Sequence, residues 1–310
     1  MSDYDVIVIG GGAAGLSAAL VLSRARRSVA VVDAGEPRNA PAAHMHGFLS
    51  RDGLPPVELL RAGRTEVQAY GGVVLPGRAH SIAGTVTSGF QVVLADGSSL
   101  AARRLLVTTG LRDGLPDIPG VSQRWGRDVI HCPYCHGYEV RDQRLAVIGG
   151  SPNSLHQAQL VRQWTSDVVF FTHGTQLTAD EHEQLIARAI GLVDGYVSRV
   201  LVKDDRLCGV ELEDGRTVAR DAVFVAPAFE PQSSLVVALG AHVDDHGWVV
   251  ADRTGRTSVP GVWIAGNASN PRAQVITAAG EGSAAAIALN ADLIDDDVRK
   301  AVAHFRQRAP

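Results

Sequence analysis

Near the start of the chain, Gly10-Gly11-Gly12-Ala13-Ala14-Gly15 separates two apolar runs. Asp5 to Ile9 is rich in Val and Ile and reads as a short buried strand. After the glycines, Leu16, Ala19, Leu20 and Ser23 recur on one side of a helix. Strand, tight glycine turn and helix open a doubly wound α/β unit that binds a dinucleotide. Gly10 permits the turn, and Gly12 lets backbone approach a pyrophosphate. Ala13 and Ala14 begin the helix whose N–H groups point at the phosphates, and Gly15 lets helix and strand pack closely. A second strand, Ser28 to Val32, ends at Asp33, where a carboxylate accepts hydrogen bonds from a ribose. The motif by itself does not separate FAD from NAD.

A second strand–glycine–helix unit begins at Arg144 to Ile148, followed by strands at Val168 to Thr172, Val197 to Val202 and Gly209 to Leu212. Alternating segments around Asp96-Gly97, from Phe90 to Leu106, predict an antiparallel hairpin. Pro116, Pro119 and Gly120 mark one crossing between domains, and Ala226 to Pro231 the return. Val262 to Ala265 reads as a last parallel strand and Ala278 to Leu293 as a small-residue helix. The expected architecture is α/β, with two Rossmann-like domains, one inserted in the other. Residues 1–113 and 230–310 form the dinucleotide domain, and residues 114–229 the insert.

The apolar stretch from Val6 to Leu22 is expected to be neither a signal peptide nor a membrane helix. Asp3 and Asp5 stand where a basic leader belongs, and four glycines interrupt it. A net charge of −4 offers no general attraction to nucleic acid or anionic membranes. With only three cysteines, at 132, 135 and 208, the chain is no secreted disulfide scaffold, and a cytoplasmic location is expected.

Cys132-Pro133-Tyr134-Cys135 is the second strong signal. Two intervening residues allow a disulfide that forms and breaks readily, and the motif often lowers one thiol's pKa. His131 and His136 flank it, placed to take or return a thiol proton. The same pair also reads as part of a zinc site or as two inert thiols. Zinc usually takes four ligands, which here would have to include His131 or His136, since Cys208 is distant in an apparent strand. No metal is expected, and Cys208 reads as a small core hydrophobe.

Together with Thr108-Thr109-Gly110 and the run Gly261-Val262-Trp263-Ile264-Ala265-Gly266-Asn267, then Gln274-Val275-Ile276-Thr277-Ala278-Ala279-Gly280, these motifs resemble the low-molecular-weight thioredoxin reductase family of flavoproteins. The resemblance covers nearly the whole chain. It implies FAD as cofactor, held by Gly10, Gly12, Ala13, Ala14, Gly15, Asp33, Gly266, Asn267, Gln274 and Val275. It implies a homodimer, with Cys135 nearer the flavin and Cys132 exchanging with substrate.

Three departures from the family pattern bear on function. Asn267 stands where an aspartate is usual, and His136 where an acid follows the second cysteine. With an unperturbed pKa near ~6.5, an imidazole accepts thiol protons at neutral pH. The second glycine loop reads Gly149-Gly150-Ser151-Pro152-Asn153-Ser154. Ser151 hinders backbone approach, Pro152 removes an N–H, and Thr172-His173-Gly174-Thr175-Gln176 brings no arginine for a 2′-phosphate. An impaired NADPH site turns the expected electron flow around. A small-molecule dithiol reduces the cysteine pair, the pair reduces FAD, and molecular oxygen is the acceptor, giving hydrogen peroxide. Cys-Pro-Tyr-Cys-His-Gly-Tyr-Glu at 132–139 and His44-Met45-His46-Gly47 are similar to the dithiol oxidases of gliotoxin- and holomycin-type biosynthesis, and His44 and His46 are expected to face the active site. The alternative is an NAD(P)H-dependent disulfide reductase. A non-catalytic flavin- or zinc-binding sensor is a third reading.

Overall fold

The computed structural model describes residues 3–308 and divides them into two compact units. The first runs up to Ala40, includes Pro55–Arg112 and resumes from Pro231. The second comprises Pro41–Leu54 and Asp113–Glu230.

The first unit opens with β1 (Tyr4–Ile9), α1 (Ala13–Arg24), β2 (Val29–Asp33), α2 (Pro56–Ala69) and β3 (Val73–Pro76). It continues with β4 (Ala79–Thr85), β5 (Gly89–Leu94) and β6 (Ser99–Val107), and β7 (Leu111–Gly114) leads out of it. β1 and β2 are almost wholly buried and parallel, which is why they read as continuous Val/Ile runs rather than alternating ones. β6 serves three pairings, the third with the last strand of the unit. Ser99 to Ala102 lie antiparallel to β5, whereas Leu105 to Val107 lie parallel to β1.

In the second unit come α3 (Val121–Arg124), β8 (Val129–Ile130), α4 (Pro133–His136), β9 (Leu145–Ile148), α5 (Ser154–Val161), β10 (Val168–Phe171), α6 (Ala179–Ala187) and β11 (Gly191–Val193). β12 (Val197–Lys203), β13 (Arg206–Leu212), β14 (Thr217–Val218) and β15 (Ala222–Phe224) complete it. A parallel sheet of order β11-β10-β9-β15-β8 carries the core, and β12-β13-β14 form a separate meander. Arg124, 5% exposed, is held by Asp128 and Asp205, so its charge is buried with partners.

β16 (Ala228–Pro231) returns the chain, pairing with β7. α7 (Ser234–Ala238), β17 (Val262–Ile264) and α8 (Val275–Arg308) follow. β17 pairs in parallel with the Leu105–Val107 end of β6. α8 buries Gly282, Ala285, Ala286, Leu289 and Leu293 on one face. A Cβ at Gly282 would overlap the backbone of Ala14, so α8 meets α1 nearly backbone to backbone.

The chain leaves the first unit at Arg112/Asp113, where β7 pairs with β16. Three details differ from the sequence-based expectation. α8 continues to Arg308, well beyond Leu293. Cys208 lies on β13 but is only half-buried. Residues 41–54 pack with the second unit, although they fall inside the expected 1–113 segment. Pro41 lies against Gly126 and His46 beside Glu139, while the N–H and carbonyl of buried Met45 bond Leu54 and Gly53 and close the segment into a loop. Among the described residues, no helix is long and apolar enough to cross a membrane.

Candidate active site

The sequence-selected residues fall into two groups, one in each unit. In the first unit, Gly10 sits at φ 109°, a left-handed backbone, and a Cβ there would overlap the Thr108 carbonyl. Gly15 touches the Gly10 carbonyl so closely that no side chain fits. Between them, Gly12 is the N-cap of α1 and faces open space. Ala13 and Ala14 lie in the first turn, whose N–H groups have no acceptor within the helix. This open cradle at a helix N-terminus fits a dinucleotide pyrophosphate.

Asp33 lies beside the cradle. One carboxylate oxygen accepts from the N–H groups of Gly11 (3.3 Å) and Gly35 (3.2 Å), and the other from Arg64 Nη2 (2.7 Å). Arg64 carries no local sequence signal, since one arginine on a charged helix face looks like any solvated side chain.

Asn267 follows Gly266 in a short turn, where its amide nitrogen donates to the carbonyls of Asn270 (2.9 Å) and Ala273 (3.0 Å). Its oxygen accepts from Arg38 (3.2 Å). An aspartate would have no N–H for those carbonyls, which gives the departure from the family pattern a structural reason. Glu281 also went unrecognised. It accepts from Gly266 N–H (2.9 Å) and Asn270 Nδ2 (2.6 Å), tying the turn to α8. Gln274 and Val275, both half-buried, lie where α8 begins.

In the second unit, Cys132 and Cys135 form a disulfide with their Cα atoms 5.2 Å apart. Cys132 is the extended N-cap of α4, buried Pro133 starts the helix, and the N–H groups of Cys135 and His136 both reach the Cys132 carbonyl at 3.1 Å. Tyr134 points outward against the edge of Trp164 (6.0 Å). His131 Nδ1 lies 3.1 Å from the Val225 carbonyl, and buried Gln157 bonds the His131 carbonyl (2.6 Å), fixing the chain just ahead of the disulfide.

His136 is half-buried, and that burial holds its pKa below the ordinary imidazole value. Glu139 pulls it up and His46 pushes it down, both less strongly than burial. His46, from the 41–54 loop, lies with Nε2 3.4 Å from Glu139 Oε1. His44 is exposed, with Nδ1 on the Gly53 carbonyl of its own loop (2.9 Å). Among the described residues, no group of three or more His, Cys, Asp and Glu side chains is placed to hold a metal ion.

The second glycine loop is bonded partly within itself and partly to the end of β10 and the turn after it. Gly150 N–H donates to Thr175 Oγ1 (2.8 Å), Asn153 N–H to Ser151 Oγ (3.4 Å) and Ser154 N–H to the Ser151 carbonyl (3.0 Å). The buried Ser154 hydroxyl bonds that same carbonyl (2.7 Å). Beyond β10, Thr172, Thr175, Gln176, His182, Asp194 and Tyr196 line a cleft that holds neither arginine nor lysine. Arg216 reaches its rim at Gly195, but its Nε bonds Asp214 (2.7 Å) and its Nη2 the Asp194 carbonyl (2.7 Å).

Comparison with known proteins places these features in context. Residues 4–282 match the model of the pyridine nucleotide-disulphide oxidoreductases. The solved structure of HlmI superposes with a TM-score of 0.96 at 54% identity, covering 98% of this chain and 97% of that one. A putative thioredoxin reductase, TrxB, from Bacillus anthracis gives 0.90 at 33% identity, over 95% and 99% of the two chains. Thioredoxin reductase sirT of Leptosphaeria maculans is 31% identical, over 96% of each protein.

Proposed function

The chain belongs to the pyridine nucleotide-disulphide oxidoreductase family, as an FAD-dependent thiol/disulfide oxidoreductase of the thioredoxin reductase type, and on that premise we propose that it is a dithiol oxidase. Its reaction converts a small-molecule dithiol and oxygen into a cyclic disulfide and hydrogen peroxide. The observation that carries this reading is the second glycine loop. The N–H groups of Gly149, Gly150, Asn153 and Ser154 are already bonded within the protein, to Phe171, Thr175 and Ser151, and the cleft beyond the loop brings no free guanidinium to a 2′-phosphate. Likeness to HlmI supports the same direction.

The first step is thiol–disulfide exchange. A substrate thiolate attacks Cys132 Sγ, the Cys132–Cys135 bond breaks, and Cys135 leaves as thiolate. The substrate's second thiol then attacks its own sulfur in the mixed disulfide, closing the product ring and releasing Cys132. Each attacking thiol gives up a proton, and His136, kept neutral by burial, takes it. FAD supplies the two-electron acceptor that restores the disulfide, with oxygen as terminal oxidant. Gly10, Gly12, Ala13, Ala14 and Gly15 would hold its pyrophosphate, Asp33 its ribose, and Gly266, Asn267, Gln274 and Val275 its flavin half. Asn267 keeps one oxygen lone pair for a ribityl hydroxyl.

We take the working form to be a cytoplasmic homodimer. An apolar row along α8, with Ile287, Ile294, Val298 and Phe305 all exposed, supports the second half of that reading.

Anaerobic titration tests the proposal. A dithiol is expected to bleach the flavin within one turnover while NADPH and NADH leave it yellow. Cys132→Ser and Cys135→Ser should keep the flavin and lose the bleaching. Rapid bleaching by NADPH would make the protein a reductase instead.

A further inference from the structure

His136 needs somewhere to send the proton it collects, because burial disfavours its imidazolium form. The loop of residues 41–54 brings His46 to the cysteine-bearing segment. His46 Nε2 lies 3.4 Å from Glu139 Oε1, and His46 Nδ1 lies 3.4 Å from Asp52 Oδ2. Asp52 in turn accepts from Gly47 N–H (2.8 Å), so the imidazole is gripped by a carboxylate that its own loop holds in place. Exposure rises outward along this line: the side chains of His46, Glu139 and Asp52 are 20%, 41% and 67% exposed. The groups whose charge acts on His136 are Glu139, from its own segment, and His46, from the loop. Arg141, also nearby in sequence, is turned onto the ring of Tyr138 (4.0 Å).

We propose that His46, held between Glu139 and Asp52, is a positioning residue that acts through His136 and passes the substrate's thiol proton from the disulfide site to water. This rests on the dithiol-oxidase reading and adds a route to it. The proton leaves the substrate thiol for His136, moves to the Glu139–His46 pair and exits past Asp52. His136 returns to its neutral form for the second thiol. No electron moves along this path, and the two protons balance those consumed when oxygen becomes hydrogen peroxide.

The test uses the FAD-loaded protein and dithiothreitol as probe, following anaerobic flavin bleaching by stopped flow across pH at several imidazole and phosphate concentrations. His46→Asn should slow bleaching roughly tenfold near neutral pH, at the low end of what a positioned proton-transfer group contributes. Added imidazole should restore much of the rate. Asp52→Asn and Glu139→Gln carry the same test if His46→Asn loses its flavin.

In parallel, NMR titration of the His136 ring should move upward in His46→Asn and downward in Glu139→Gln, which tests whether the three groups are coupled, while the buffer rescue tests the proton transfer. A wild-type rate in His46→Asn, or a slowed rate that no buffer restores, would overturn the proposal. Should dithiothreitol fail to bleach even the wild-type protein, the oxidase reading falls on that result. The relay is then judged on the ring titrations alone, and an unmoved His136 sinks it.

Discussion

At position 136 the chain puts an imidazole where burial, more than any neighbour, sets its charge. Its folded pKa lies below the unfolded value, so above about pH 6.5 the ring is neutral in both states and adds no pH dependence. As pH falls through that value the unfolded chain takes up a proton that the folded one resists, and stability drops. His173, also lowered by burial, acts in the same sense. Urea midpoints measured between pH 7.5 and 5 should therefore fall on acidification, and less steeply in His136→Asn. Equal slopes in the two proteins would show that His136 is not buried as described. Asn267 makes a different point at this scale. It looks like a loss of charge when read as a letter, whereas its two donated hydrogen bonds organise the turn that follows it.

At the scale of elements, the helix α1 that forms the cradle is set by its contact with α8. Gly282→Ala would drive a methyl group into the Ala14 backbone, an overpacking that costs about 1–3 kcal/mol. It should lower both the thermal midpoint and the ratio of bound flavin to protein. Gly280→Ala, two residues earlier on the same helix, meets open space and should stabilise by roughly 0.5–1 kcal/mol through helix propensity. Matching effects from the two would disprove the close approach. The elements legible in the sequence were those whose signal is local: the β1–glycine–α1 unit, the cysteine pair at the start of α4, and the β5–β6 hairpin. Contacts spanning long stretches of chain were not. Arg64 meets Asp33 from 31 residues away, and Glu281 meets Gly266 from 15. A polar side chain that will be buried against a distant loop has the same local pattern as one facing water.

For the whole molecule, the two units have separate cores, and the dinucleotide cradle belongs to only one of them. Calorimetry of the apoprotein with added FAD should raise the unfolding of the first unit, by about 2.7 kcal/mol at a hundredfold excess over Kd, and leave the second unit's transition in place. A single transition that moves as one would mean the units unfold together. The chain visits the second unit twice, first for residues 41–54 and then for 113–230. Sulfur chemistry in this protein is therefore not inherited as one stretch of gene. A chimaera that swaps only codons 113–230 between two such proteins leaves His46 with the wrong parent, so recombination that respects the reaction has to carry two distant exchanges together.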